Sequence, residues 1–503
     1  MTKILLRGAT LLIHDENSHV QPRISDLLID GSTISQIHER IELGEDESKT
    51  TRVIDCRGKI VSPGFISTHH HLYQTPLKGQ HGNDTLISYL PTGNFVACEY
   101  TVEDMFWGQL SGAMEAIDAG TTTVVDHSSP APSPDHHKSC IDALITSGIR
   151  SVYCYLPPRT VHSWSPLSFS QDYTSAASID EFVALAARAP WASGRIQLGY
   201  AIDSFYHAPD ALANLFARVR GAGTKLITTH HINGPMYGSS APSALEQLEH
   251  HGLLGADILV SHNNFPRPAD AALLAASRAN ISATPATEMQ MGLPPLALRA
   301  EFRPHASLGV DCHSWGTGFL PGQMRLALQH ARCERGAALE KNGGRWARSV
   351  GPTVEDAFNV GTLGGARAAG MAGQLGRIAV GFKADLVVFA TDSPSMLAAA
   401  DEDPLAAVVL HASERDVEMV IVDGVVRKEV GALLDVEAPQ EAVVLLGKGG
   451  AVVPGARWSW RDVAAQTLKT RALLKERVKG IDFKAAEEVI IDVFHQNRKD
   501  MVE

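Results

Sequence analysis

The sequence predicts an α/β protein: a parallel (β/α)8 TIM barrel with a small β-sandwich built from both ends of the chain. Between about residues 63 and 376, eight short apolar, β-rich runs alternate with Ala/Leu-rich helical stretches, the pattern that repeated βα units leave in a sequence. The two flanks share another grammar, short strands closed by Asp-Gly turns. No Gly-rich phosphate turn follows the first strand, which argues against the alternative of an open doubly wound sheet.

Residues 1–62 read as the first part of the sandwich. The segments Ile4-Leu5-Leu6-Arg7, Thr10-Leu11-Leu12-Ile13 and Asp26-Leu27-Leu28-Ile29 lead to the hairpin turn Asp30-Gly31 and then Thr33-Ile34-Ser35-Gln36-Ile37. The second part, 377–439, repeats this with Ala384-Asp385-Leu386-Val387-Val388-Phe389 and Val417-Glu418-Met419-Val420-Ile421-Val422, closed by Asp423-Gly424. Between them, residues 63–376 supply the barrel. Its strands are expected in the run ending Phe65-Ile66-Ser67-Thr68, then at 121–126, 149–155, 196–200, 225–229, 257–261, 281–284 and 306–310. Helices are expected over Met105 to Ala119, Ile179 to Ala189, Asp210 to Gly221, Ala241 to His251 and Pro268 to Asn280. The tail, 440–503, reads as a helical extension: a loop with Gly447-Lys448-Gly449-Gly450 and Pro454-Gly455, then helices from Trp460 to Glu476 and Phe483 to Asn497.

Composition narrows the function classes. The 503 residues carry a net charge of -12, which disfavours nucleic acid or an anionic membrane as partner. No run of 18 apolar residues suggests a membrane span, and the N-terminus lacks the features of a secretory signal. Six scattered cysteines without a C-x-x-C suit reduced thiols and a cytoplasmic setting.

The chemistry concentrates in Pro63-Gly64-Phe65-Ile66-Ser67-Thr68-His69-His70-His71-Leu72. Strand alternation puts His69 and His71 on one face and His70 on the other. Two imidazoles on one face can share a metal ion. Active sites of such barrels lie where strands end. The fifth strand ends in His230, His231 and Asn233, the sixth in His262, the eighth in Asp311. Neutral imidazoles and a carboxylate suit a catalytic zinc with one position left to water, whose pKa the metal lowers to about 7. His127 after strand two and His313 after strand eight are candidate substrate contacts, as are Glu288 and Gln290 after strand seven. Trp315 could stack on a flat ring. His81, His136 and His137 fall in polar segments and are expected to be solvated.

These residues give the sequence a resemblance to the amidohydrolase superfamily. It is most similar to the branch that holds cytosine, guanine and adenosylhomocysteine deaminases and triazine chlorohydrolases. The first histidine motif carries the resemblance together with Gly120-Thr121-Thr122-Thr123, His262, Gly309-Val310-Asp311, Val422-Asp423-Gly424 and the stretch Gly376 to Leu386, over about residues 3–430. The resemblance implies His69, His71, His230 and Asp311 as metal ligands, with His230 preferred to the adjacent His231. It implies one divalent metal ion, zinc with ferrous iron as the alternative, because the fourth strand runs Gly199-Tyr200-Ala201-Ile202-Asp203 without the lysine that bridges two ions in some relatives. His262 would hold and polarise the metal-bound hydroxide, and Asp311 would also move a proton to the leaving group. Asn233 stands where the deaminases place a glutamate, and an amide cannot shuttle a proton. Either another acid such as Glu288 replaces it, or the substrate needs no such step.

The implied activity is a metal-dependent hydrolase that attacks an sp2 carbon of a nitrogen heterocycle or amidine-like group and expels ammonia or another leaving group. Ring-opening of a cyclic amide is the enzymatic alternative, and a non-catalytic metal-stabilised binding protein the other. The expected partner is a small heterocyclic substrate, with a homodimer as the expected assembly.

Overall fold

The computed structural model describes residues 3–502 apart from 129, 159, 171–174, 206, 235–240, 441–452, 494–497 and 499–500. The Gly447–Gly450 loop and the end of the last expected helix lie outside the described residues. The barrel strands follow one another in chain order: Phe65–His71, Thr121–His127, Arg150–Tyr155, Ile196–Ala201, Ile227–Ile232, Ile258–Asn264 and Asn280–Ala283. The eighth comes in two pieces, Ala306–Leu308 and Asp311–Cys312. The first piece pairs with strand seven, and the second with strand one, Asp311 opposite His70. That closes the sheet. All pairings are parallel. Strands buried on both faces need apolar side chains on both, which is why Val124-Val125, Val152-Tyr153 and Leu259-Val260 run without polar alternation; all six are buried.

The expected helices form at Val102–Asp118, Ala176–Ala186, Pro209–Gly221, Ala244–His250 and Asp270–Ser277. Among the helices not anticipated, the two longest are Pro134–Ser147 and Leu320–Lys341. The first opens on Asp135-His136-His137-Lys138, a sequence that reads as a loop. It corrects the expectation of solvated histidines: His136 and His137 are buried, bonded to the Tyr100 carbonyl at 3.0 Å and the Tyr153 hydroxyl at 2.8 Å. His81 is buried too, against Tyr89 and Trp315.

The sandwich is one continuous sheet of nine strands drawn from both chain ends. Ile60–Pro63 pairs antiparallel with Leu386–Phe389, Val61 opposite Val388, and so joins the two ends. Leu6, Leu11, Ile29, Ile34, Leu386 and Ile421 share its core. In the tail, helices Trp460–Arg477 and Phe483–Val493 pack on the barrel, Val463 against Phe106 and Trp107, Ile490 against Ile87 and Phe95. Among the described residues no helix is long and apolar enough to cross a membrane.

A buried ion cluster ties barrel to sandwich. Arg150, first residue of the third barrel strand, donates from Nε and Nη2 to the Asp385 carboxylate (2.9 and 3.0 Å) and from Nη2 to Asp423 (2.7 Å). The Asp423 backbone N–H donates to Asp385 at 2.7 Å, and Gly64 N–H to the Asp385 carbonyl at 2.8 Å. Although burial alone would raise it, Arg150 and Lys383 hold the Asp423 carboxyl below its usual range. Removing one partner of a buried pair strands the other charge and costs about 3–5 kcal/mol. Arg150→Ala is therefore expected to lower the unfolding free energy by about that amount in urea titrations. Arg150→Lys should recover only part of it, because an ammonium cannot fork to two carboxylates.

Candidate metal centre

Strand ends one, five, six and eight bring five side chains to one point. The ligand atoms of His69, His71 and His230 lie within 4.8 Å of one another, as do those of His69, His262 and Asp311. His69 Nε2 is 3.6 Å and His71 Nε2 3.4 Å from Asp311 Oδ1, and His262 Nε2 is 4.0 Å from Asp311 Oδ2. His70, on the opposite face of its strand, turns away to His313, Nε2 to Nε2 at 2.7 Å.

Each side chain is aimed by its surroundings. His71 Nδ1 donates to the His127 carbonyl at 2.8 Å, and His69 Nδ1 bonds the Ser261 hydroxyl at 2.8 Å. His230 Nδ1 lies 3.0 Å from Asp203 Oδ1. On strand six one extra residue stands opposite strand five: His231 pairs with His262, but Ile232 with Asn264. Such a bulge re-aims side chains. His262, Asn263 and Asp311 take left-handed backbone angles (φ +74°, +54° and +67°), a conformation non-glycine residues adopt rarely and mostly at functional sites. His262 Nδ1 then meets Thr284 Oγ1 at 3.1 Å and Glu288 Oε1 at 3.3 Å.

The electrostatics suit a cation. Burial pushes the His71 imidazole down to about 3 and His69 well below its usual value, so both are neutral. Burial would raise the Asp311 carboxyl, but the ring nitrogens of His69, His262 and His71 that face it hold it well below the usual range. A neutral imidazole carries one proton. With Nδ1–H of His71 given to a carbonyl, its Nε2 presents a lone pair. It faces His230 Nε2 at 3.1 Å, and buried His69 Nε2 beside them has no hydrogen-bond partner among the described residues. Lone pairs gathered like this fit a metal ion held by His69, His71, His230 and Asp311.

The remaining candidates distribute around this point. Of the adjacent histidines, His230 joins the cluster and His231 turns to Asn233 Oδ1 at 2.8 Å. The buried Asn233 Nδ2 has no partner among the described residues. Glu288 is buried beside His262 with Oε2 likewise unpaired. His127 is buried, its Nε2 3.4 Å from Asp203 Oδ2. Trp315 is half-buried, its ring 4.4 Å from that of Tyr89. Gln290 is exposed and donates to the Gly82 carbonyl at 2.7 Å, tying the end of helix Pro285–Gln290 to the loop that holds Gly82. His313 lies behind the strands, fully buried, bonded to His70 and to Thr75 Oγ1 at 2.9 Å, so it faces no open space at the mouth.

The Amidohydrolase family model matches residues 60–427, well over half of the chain. The chain belongs to the amidohydrolase family. It is 27% identical over 409 residues to a 5'-deoxyadenosine deaminase of Methanobrevibacter smithii, covering 78% of this chain and 85% of the relative. It is 26% identical over 437 residues to a 5-methylthioadenosine/S-adenosylhomocysteine deaminase of Thermococcus onnurineus, covering 82% and 91%. Among solved structures, the zinc complex of atrazine chlorohydrolase from Arthrobacter aurescens superposes with a TM-score of 0.73 at 20% identity, over 93% of this chain and all of that one. A zinc-bound adenosine deaminase from Xanthomonas campestris gives 0.70 at 17% identity, over 94% and 98%.

Three residues at this amidohydrolase's centre escaped the sequence reading: Asp203, Ser261 and Cys312, whose thiol lies 3.1 Å from Asp311 Oδ1 and 3.0 Å from the Tyr89 hydroxyl. Cys312 and Ser261 each adjoin a candidate in sequence, the only signal they offered. The Gly309-Val310-Asp311 turn has a steric reason. A Cβ on Gly309 would stand 2.6 Å from the His69 carbonyl oxygen and 2.8 Å from its nitrogen. Gly309→Ala should therefore push strand eight off strand one. Bound metal measured by atomic emission is expected to fall at least tenfold, together with a cost of about 1–3 kcal/mol in stability.

Proposed function

We propose that this amidohydrolase hydrolyses a nitrogen heterocycle or amidine-like group at an sp2 carbon, releasing ammonia or another small leaving group. The observation that carries it is the convergence of His69, His71, His230, His262 and Asp311 at the barrel mouth, with unpaired polar atoms on Asn233 and Glu288 nearby in the fold. A structural metal site is closed by its ligands, whereas a catalytic one keeps a position for water. The zinc bound in the two structural neighbours supports zinc as the resident ion, and the nucleosides for which the related deaminases are named support an aminopurine-like ring. When bound, the ion would supply Lewis-acid activation of a water.

The chain's own residues would do the rest. His262 is fixed at Nδ1 by Thr284 and Glu288. That leaves Nε2 turned towards Asp311 Oδ2, and this pair would take the proton of the attacking water and pass it to the leaving group. Such transfer contributes about 10²–10⁴ in rate. Asn233 Nδ2 would donate a hydrogen bond to a ring nitrogen but cannot deliver a proton. This favours substrates whose ring is already electron-poor or whose leaving group departs without ring protonation.

His71→Ala is expected to lose bound zinc and at least 10³-fold in turnover while the far-ultraviolet spectrum stays unchanged; retained turnover by the metal-free variant would sink the site. Asn233→Glu restores an acid beside the ring. Across a panel of aminopurines, aminopyrimidines and chlorotriazines it is expected to raise deamination relative to dechlorination at least tenfold. An unchanged profile would remove Asn233 from substrate recognition.

A further inference from the structure

We infer that Asp203 is a positioning residue that orients two metal ligands at once and so selects His230 over His231 as the third imidazole. The inference rests on the reading that His69, His71, His230 and Asp311 hold a cation. Asp203 follows the fourth barrel strand by two residues and reaches across the mouth. Its Oδ1 accepts from both the backbone N–H of His230 (3.1 Å) and its ring Nδ1–H (3.0 Å). Its Oδ2 faces His127 Nε2 at 3.4 Å, and the carbonyl of His127 accepts from His71 Nδ1 at 2.8 Å. One carboxylate thus touches His230 directly and steadies His71 through His127.

The chemistry of the pairing fixes its consequence. An ionised carboxylate only accepts, so it forces the single proton of a neutral imidazole onto Nδ1 and leaves Nε2 bare. His230 Nε2 is the atom that faces His71 Nε2 at 3.1 Å. The pairing also stops the ring from turning about χ2, which would swing Nε2 out of the cluster. His231 has no such anchor: its ring is spent on Asn233. A carboxylate that holds a ligating histidine typically contributes 10–100-fold to metal affinity.

The same atoms of His127, Asp203 and His230 lie close enough to bind an ion of their own, and the experiment separates the two roles. Zinc is titrated into metal-free protein against a chromophoric chelator, with the thermal midpoint of each metal-free variant recorded to establish folding. Wild type is expected to bind one zinc per chain. Asp203→Ala should bind one zinc about 10–100-fold more weakly. Asp203→Asn, whose amide oxygen still accepts from Nδ1–H, should lose less, and it carries the test if the alanine variant does not fold. His231→Ala should bind as wild type does. With cobalt in place of zinc, the visible d–d band should shift in Asp203→Ala, which a merely structural defect far from the ion would leave unmoved. Wild-type affinity in folded Asp203→Ala overturns the inference. So does loss of zinc in His231→Ala, or a wild-type stoichiometry of two that falls to one without Asp203. His71→Ala is titrated alongside. If it also keeps full affinity, the metal-centre reading itself fails; if it alone loses zinc, only the role of Asp203 fails.

Discussion

Two imidazole nitrogens this close need a proton or a metal ion between them, and here the fold presses them together. His71 and His230 face each other at 3.1 Å, with His69 Nε2 unpaired alongside and the Asp311 carboxylate within 3.4 to 3.6 Å. Burial keeps His69 and His71 neutral. A bound cation would satisfy these nitrogens and the carboxylate together. Much else in the molecule can be read as the means of holding it. Closure by the split eighth strand sets Asp311 against His70, which puts the carboxylate beside the histidines of strand one although more than two hundred residues separate them.

The means are mostly backbone. The bulge at Asn263 and the left-handed angles at His262 and Asp311 place side chains where a regular strand could not. Each such residue costs on the order of 1–3 kcal/mol, which the surrounding structure must offset. Around Asn263 it does so visibly: the Asn263 amide donates to buried Asp270 at 3.2 Å, and Ser243 holds the other oxygen of that carboxylate at 2.6 Å. The sixth strand end is therefore fixed by the starts of two flanking helices, while buried His262 faces the metal centre.

The alternation of apolar runs with helical stretches made the barrel readable, because strands buried on both faces leave a continuous signature. Period-two geometry alone separates His69 and His71 from His70, and the Asp-Gly turns mark the hairpins of the outer sheet. What escaped notice depended on contacts between distant segments. Helix Pro134–Ser147 opens with polar residues that look like a loop, and only its packing shows that His136 and His137 are interior. Asp203 looked like the mere absence of a lysine; its partner lies 27 residues away on the next strand. His313 sits two residues from Asp311, yet strand geometry turns it to the back, and no local pattern predicts that.

The Arg150 cluster lies at the opening residue of a barrel strand, the end away from the metal centre. Among the described residues, the cation buried there is neutralised by Asp385 and Asp423, contributed by the outer sheet. Cutting the chain to its barrel would strip that guanidinium of both carboxylates, so the barrel and the outer sheet are coupled through one buried charge. The loops at the opposite rim carry no such obligation. The fold thereby divides labour along its axis, with cohesion fastened at one pole and the other left open to acquire new substrates.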